Sequence, residues 1–396
     1  MLAEKMLKLG QSGSAIRDIA AYADARREEI GSENVFDFSI GNPSTPAPEK
    51  VRKTLIELLE TGDSLALHGY TAAPGAMSAR KAAARQESKR AGYDIPADCV
   101  YLTSGASSSL AISLAALVSP GEKVAVLAPF FPDYRVLTEA AGAELVVVPP
   151  AGEDMQPFMA AFEDAVESGV AAVIINSPNN PSGAILSEQT LRVMSKILTQ
   201  AQSEQGRKIY LIADEPYREL VYGDVSVPFV PNFYPNTVVC YSYSKSLSLP
   251  GERLGYILVP PCMEDHKSVF AAVCGAGRAL GYVCAPSLMQ NMLVQCADVS
   301  PDLTTYEKNR DTLYTALTQY GFECVKPDGA FYLFLRAPQG DSAAQFCEKA
   351  KKHEIMLVPS DSFGIPGYAR LAYCASEKTV NNSLPAFKKL AEEYGL

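Results

Sequence analysis

Between residues 100 and 260 the chain repeats one pattern: a short run of apolar, mostly β-branched or aromatic residues, then a stretch with helical spacing. The runs at 100–103, 123–128, 144–148, 171–175, 208–213, 237–243 and 255–259 are apolar almost throughout instead of alternating. That is the mark of strands buried on both faces. Segments such as 107–118 and 187–201 between them read as helices. Seven such runs spaced by helices predict an α/β fold, a mostly parallel seven-stranded sheet with helices on both faces. Ligands in such sheets bind beyond the C-terminal ends of the strands, so the residues after each run are where chemistry is sought.

The flanking sequence differs. A polar helix at 301–320 precedes short strands at 331–335 and 368–373, with helices at 342–352 and 376–394. The first 45 residues hold one short strand, 35–40, and too little apolar sequence for a core of their own. A chain of 396 residues suits two domains or one large one. The expected division is a large α/β domain over 46–289 and a smaller α+β domain built from 1–45 and 290–396.

Composition removes several function classes. A formal charge of −10 argues against a nucleic-acid-binding surface, and an anionic substrate would need a local basic pocket. Nine cysteines, an odd number without a C-x-x-C pair, indicate reduced thiols in a cytoplasmic protein, neither a disulfide framework nor a zinc site. His68, His266 and His353 are too scattered to suggest a metal centre. The first ten residues, broken by Glu4, Lys5 and Lys8, form neither a signal peptide nor a membrane span.

The run at 237–243 leads into Ser242-Tyr243-Ser244-Lys245, with Arg253 eight residues on and Gly255-Tyr256 after it. A lysine desolvated at the rim of a sheet can lose its proton and attack a carbonyl. Arg253 and the neighbouring serines bind anions. A reactive amine beside an anion cradle suits an aldehyde cofactor that carries a phosphate, pyridoxal phosphate. Asp214-Glu215-Pro216-Tyr217 follows the run at 208–213; a buried Asp214 could hold a pyridine nitrogen in its protonated form, which makes the ring an electron sink, and Tyr217 could reach the ring hydroxyl. Asn176 to Gly183 makes a tight Pro-containing loop after the run at 171–175, and Asn180 in it is a candidate donor to a ligand oxygen. Thr103-Ser104-Gly105-Ala106-Ser107-Ser108 joins a strand to a helix, where backbone N–H groups can meet a phosphate. Pro129 to Tyr134 supplies an aromatic that could stack on a flat ring. Each segment alone has an ordinary explanation as a turn, a helix cap or core packing.

Taken in order, the segments resemble the aspartate aminotransferase superfamily, the class I/II, fold-type I pyridoxal-phosphate enzymes. The resemblance covers nearly the whole chain: Ser-Ile-Gly-Asn-Pro at 39–43, Tyr70-Thr71 then Gly75, Ser-Gly-Ala at 104–106, Asn-Asn-Pro-Ser-Gly at 179–183, Asp-Glu-Pro-Tyr at 214–217, Ser-x-Ser-Lys at 242–245, Pro-Gly-x-Arg-x-Gly at 250–255, Gly-Ala-Phe-Tyr at 329–332, and Arg370 in Tyr-Ala-Arg-Leu. It implies that Lys245 forms the internal aldimine and shuttles the Cα proton. Asp214 would pair with the pyridine nitrogen, and Asn180 and Tyr217 would bind the ring hydroxyl. Phe131 would stack on the ring, where several relatives have a larger aromatic. Gly105 and Ala106 backbone, Ser107, Ser242 and Arg253 would hold the phosphate. Tyr70 would reach the phosphate of the neighbouring subunit, which implies a homodimer. Arg370 would grip the substrate α-carboxylate with its fork, helped by Gly41 and Asn180. Some aspartate-specific relatives carry a lysine where this chain has Ala106, so one way of holding a distal carboxylate is missing. Ser14-Ala15-Ile16-Arg17 resembles segments of relatives with varied substrates; Arg17 or Arg278 could bind a second carboxylate, with a solvated surface role as the favoured reading of each.

The expected activity is therefore an amino acid:2-oxo acid aminotransferase working by ping-pong half-reactions. A C–S β-lyase or a decarboxylase would need the same lysine and aspartate. A dinucleotide-dependent dehydrogenase would have to use Gly275-Ala276-Gly277 and Gly281, whose spacing is one residue too long for the usual loop. A non-enzymatic regulatory module would not require the intact lysine.

Overall fold

The computed structural model describes residues 3–11, 15–338 and 340–396. Met1, Leu2 and Ser14, which belong to segments read above, lie outside them. The large sheet contains β1 (Val100–Thr103), β2 (Lys123–Leu127), β3 (Glu144–Val148), β4 (Val170–Asn176), β5 (Tyr210–Asp214), β6 (Thr237–Ser242) and β7 (Gly255–Leu258), in spatial order β1-β7-β6-β5-β4-β2-β3. Every pairing is parallel except those of β7 with β1 and β6. All seven residues of β4 and all six of β6 are buried, which is why neither run alternates with polar residues. One face packs against helices Met77–Ala91, Glu188–Gln205 and Ser287–Cys296. The other packs against Ala106–Leu117, Asp133–Ala140 and His266–Ala279.

A second, antiparallel sheet of four strands runs Val358–Pro359, Tyr368–Ala372, Tyr332–Arg336, Cys324–Val325. Beside it Phe36–Asp37 pairs in parallel with Ile355–Met356. The early segment thus joins the late one, and Phe38 is buried in the same core as Leu333 and Phe387. Three of these short strands, Cys324–Val325, Ile355–Met356 and Val358–Pro359, were not expected: two residues are too few to show a period.

Two strand ends differ from the sequence reading in ways that matter for the site. Asp214 is the last residue of β5, paired with Asn176 and Cys240, not the residue after it. β6 stops at Ser242, whose side chain accepts from the Ser244 N–H and caps a short helix, Tyr243–Ser246. Lys245 therefore sits on a helical turn just beyond the strand. Gly275 and Gly277 lie inside the helix His266–Ala279, so they form no phosphate loop. Among the described residues no helix is long and apolar enough to cross a membrane, and no group of His, Cys, Asp or Glu could hold a metal ion.

Candidate active site

β4, β5 and β6 end side by side, and the residues at those ends point into one cavity of about 320 Å³. Asn176, the last residue of β4, ties the ends together. Its amide donates to the Asp214 carbonyl at 2.9 Å and its side-chain oxygen accepts from the Asn180 N–H at 2.7 Å. Asp214 is buried. Tyr134 donates to its Oδ2 at 2.5 Å, while Oδ1 is buried without a partner among the described residues. Burial pushes this carboxyl up to about 7, Glu215 adding its charge in the same direction and the Tyr134 hydrogen bond opposing it. An orphaned carboxylate oxygen in a dry site is costly, and a positively charged N–H group would relieve it.

Lys245 faces Asp214's cavity from the capped turn. Its Nζ donates to the Gly41 carbonyl at 2.6 Å and lies 5.4 Å from the centre of the Phe331 ring. Burial brings its pKa down to about 8; nearby Arg370 and Arg253 push the same way, and Cys374 opposes them. The amine is thus set to be neutral in part at mildly alkaline pH, as a nucleophile or proton carrier requires.

Arg370 comes from the middle of the second sheet and is 1% exposed. One Nη donates to Asn180 Oδ1 at 3.0 Å, the other to the Ser39 carbonyl at 2.5 Å, and Nε is buried without an acceptor among the described residues. Its guanidinium lies 4.8 Å from the centre of the Tyr332 ring. Tyr332 and Tyr217 share a hydrogen bond of 2.9 Å between their hydroxyls. A side chain at position 41 would collide with the Tyr332 hydroxyl, so glycine there is a requirement of space.

At the opposite end of the cavity Gly105, with φ of 88°, turns the chain from β1 into the helix Ala106–Leu117. A Cβ at Gly105 would stand 2.7 Å from an Arg253 Nη. Arg253 reaches this point because β7 runs against its neighbours and begins where they end; its own backbone is left-handed at φ 52°. Ala106, Ser107, Ser242 and Arg253 line this end, with Ser242 and Ser244 hydroxyls 2.7 Å apart. Cationic, hydroxyl and N–H groups converge here, which suits a phosphate.

Gly41, Ala106, Ser107, Phe131, Asn180, Asp214, Tyr217, Ser242, Lys245, Arg253 and Arg370 all line the cavity, and Gly105 touches it through Arg253. Tyr70 does not: it is 90% exposed. Arg17 lines the cavity near Asp133, and Arg278 does not. Tyr134 and Tyr332 were missed as site residues. Each sat in a segment already singled out, but nothing in the sequence distinguishes a ring that props Asp214 from one that fills the core.

The chain matches the family model described as aminotransferase class I and II over residues 33–387. It is 29% identical to an aspartate aminotransferase of Thermotoga maritima, with 89% of this chain and 90% of the relative covered. It is 30% identical to the putative aminotransferase YugH of Bacillus subtilis, with 90% and 92% covered. The crystal structure of an amino transferase from Eubacterium rectale superposes with a TM-score of 0.97 at 49% identity over the full length of both chains. The chain belongs to the class I and II aminotransferases, pyridoxal-phosphate-dependent enzymes of fold type I that transfer nitrogenous groups.

Proposed function

We propose that the protein is an amino acid:2-oxo acid aminotransferase that works in two ping-pong half-reactions through Lys245. The observation that carries this reading is the pairing, in one cavity, of a lysine brought down to about 8 with an Asp214 oxygen that has no partner. Pyridoxal phosphate, when bound, supplies an aldehyde that takes up the amino group and a ring that drains electrons from the carbon beside it. Asp214 holds a proton on the ring nitrogen. Tyr217 and Asn180 would donate to the ring hydroxyl oxygen, and Phe131, which lines the same cavity, would pack on the ring. Gly105 and Ala106 N–H groups, Ser107, Ser242 and Arg253 hold the phosphate. Arg370, with Nε unpartnered, takes the substrate α-carboxylate, with Gly41 and Asn180 beside it. Lys245 Nζ, held near neutrality by burial, would be the base for the substrate Cα proton, and the bound cofactor would supply the electron sink that makes this carbon acidic.

The test is a half-reaction screen. The holoenzyme is mixed with each amino acid in turn, and the visible absorbance of the bound cofactor is followed. Stoichiometric conversion to the amine form with release of an oxo acid supports the reading; catalytic release of ammonia, a thiol or carbon dioxide replaces it with a lyase or a decarboxylase.

Arg370→Lys should weaken every amino acid by a similar factor, on the order of 2 kcal/mol, because lysine cannot reproduce the fork. Simple amines should be little affected. Half-reaction kinetics with alanine, aspartate, phenylalanine and one amine decide; a loss confined to one amino acid means that Arg370 reads the side chain instead. Arg17 is the lining cation left without a role. Burial pushes the Asp133 carboxyl beside it up, and Arg17's charge opposes that shift. Arg17→Ala should raise KM for dicarboxylic donors about fivefold, the scale of roughly 1 kcal/mol for a partly exposed pair, and leave alanine unchanged. Equal effects on both would remove Arg17 from the substrate.

The same reading takes the active unit as a homodimer in which Tyr70 completes the neighbouring site, and its exposure in one protomer supports that. It places the protein in the cytoplasm, in keeping with nine free thiols. It divides the chain into a large domain over 46–289 and a small one of 1–45 and 290–396, with helix Ser287–Cys296 packed back on helices Glu49–Thr61 and Met77–Ala91 at the crossover.

A further inference from the structure

The two segments that carry Asp214 and Lys245 are each two-faced. Asp214, Pro216 and Tyr217 line the cavity, as do Ser242, Ser244 and Lys245. The residues between and beside them, Glu215, Arg218 and Glu219 on one segment and Tyr241, Tyr243 and Ser246 on the other, do not line it and meet in a cluster of buried charge.

Arg218 is the hub of that cluster, its side chain 1% exposed. One Nη contacts Glu87 Oε1 at 2.5 Å and Glu215 Oε2 at 3.5 Å, Nε contacts Glu219 Oε1 at 2.9 Å, and the other Nη donates to the Tyr256 hydroxyl at 2.8 Å. The Tyr256 hydroxyl in turn donates to Glu87. The guanidinium lies 3.7 Å from the centre of the Tyr241 ring. Tyr241 donates to Glu219 at 2.9 Å and is 2.8 Å from the Ser246 hydroxyl, one residue past Lys245. Tyr243 donates to Gln86, next to Glu87, at 3.1 Å. Arg90 closes the cluster, 2.9 Å from Glu215 and 3.3 Å from Glu87. Among the described residues the charged and titratable groups that face Arg218 are Glu87 and Arg90 from the helix Met77–Ala91, Glu215 and Glu219 from its own segment, Tyr241 and Tyr243 from β6 and the turn after it, and Tyr256 from β7.

Stability is a poor reason for such a cluster. Buried ion pairs tend to break even with, or lose to, apolar side chains of the same size. This one also leaves Arg90 Nη2, Glu215 Oε1 and Glu219 Oε2 buried without partners. What the cluster does achieve is geometric. It makes directional contacts to both reactive segments and to nothing in the cavity.

We propose that Arg218, through Glu87 and Glu219, is a positioning residue that sets the separation between the Asp214 carboxylate and the Lys245 amine. The inference rests on the reactive roles given to those two residues above. Misplacing reacting groups by about 1 Å costs on the order of a hundredfold in rate, so small shifts of either segment should be visible in kcat.

The experiment replaces the pair together, Glu87→Leu with Arg218→Met, which leaves Glu215 paired with Arg90 and the partly exposed Glu219 hydrogen-bonded to Tyr241, and studies the holoenzyme. The melting temperature should stay within a few degrees of wild type, and borohydride should still label Lys245. Half-reaction kcat should fall about 10–100-fold with KM changed less than threefold. The pH midpoint of the bound cofactor's visible absorbance should move by at least about half a unit. Unchanged kcat and midpoint in the folded double variant overturn the proposal, whatever the melting temperature does. Should that variant fail to fold, Glu87→Gln, which keeps the shape and loses the charge, should lower kcat about three- to tenfold and move the midpoint, and wild-type values for both overturn the proposal equally. Failure of borohydride to label Lys245 in the wild type would instead remove the reading of the site on which the proposal stands.

Discussion

Lys245→Ala is expected to give a folded protein that transaminates at less than about a hundredth to a ten-thousandth of the wild-type rate, the range that general acid–base catalysis alone is worth. The loss should be greater than that range implies, because the same amine is also the group that would hold the cofactor covalently. Folding should survive. The side chain makes one hydrogen bond, to Gly41, and removing an amine that burial already disfavours in its charged form relieves a cost. Borohydride treatment followed by mass mapping should place the cofactor's mass on Lys245 in the wild type and nowhere in the variant. Label on another lysine would overturn the assignment. So would a variant that keeps more than about a tenth of the wild-type rate.

Asp214→Asn should separate function from stability. In the holoenzyme the neutral amide cannot hold a proton on the ring nitrogen, and Cα deprotonation should slow sharply. A charged hydrogen bond is worth roughly 1.5–3 kcal/mol, about 10–150-fold, and the weakened electron sink adds to that. In the apo protein the sign reverses. The folded carboxyl titrates near 7, above its ordinary 3.8, so the native state binds more protons than the unfolded chain between about pH 4 and 7. Stability from this group is present below pH 4 and is lost as pH rises through 7. Asn carries no such cost, so apo Asp214→Asn should be more stable than apo wild type at pH 8, by roughly 4 kcal/mol at 1.36 kcal/mol per unit for the rise from 3.8 to about 7, with a higher melting temperature, and the gap should close near pH 4. Lys245 works the other way in wild type. Its folded value near 8 lies below 10.5, so its cost is present below pH 8 and fades toward pH 10.5. Thermal melts of both apo proteins from pH 4 to 9 test the sign. An Asn variant that is less stable than wild type at pH 8 would mean that the carboxylate is already satisfied, and wild-type half-reaction rates would mean that it has no role in the chemistry.

What could be read from the residues alone follows from where the information is local. Each strand of the large sheet is its own apolar run, so β1 to β7 were legible to within two residues at each end. Asp214 was found because a charged residue at the end of such a run is conspicuous, and Arg370 because its Tyr-Ala-Arg-Leu segment resembles the family's. The Tyr134–Asp214 and Tyr217–Tyr332 hydrogen bonds were not legible, since they join residues 80 and 115 positions apart and a tyrosine looks the same in a core as in a site. The Arg218 cluster was invisible for the same reason. Its carboxylates and guanidiniums read as solvated helix faces until the fold buries them.

The pairing of Phe36–Asp37 with Ile355–Met356 also has a consequence in time. The first strand of the chain leaves the ribosome with no partner, and its partner follows about 320 residues later. At roughly 5–20 residues per second this is a wait of about 15–60 s, during which Phe36 and Asp37 lack the strand they pair with and Ser39 lacks Arg370. The residues proposed to hold the cofactor, from Gly105 to Arg253, are complete well before that. A nascent chain can thus complete the segments proposed to hold the cofactor before Ile355–Met356 and Arg370 are made, and the contact of Arg370 with Ser39, proposed to receive the substrate carboxylate, forms only afterwards.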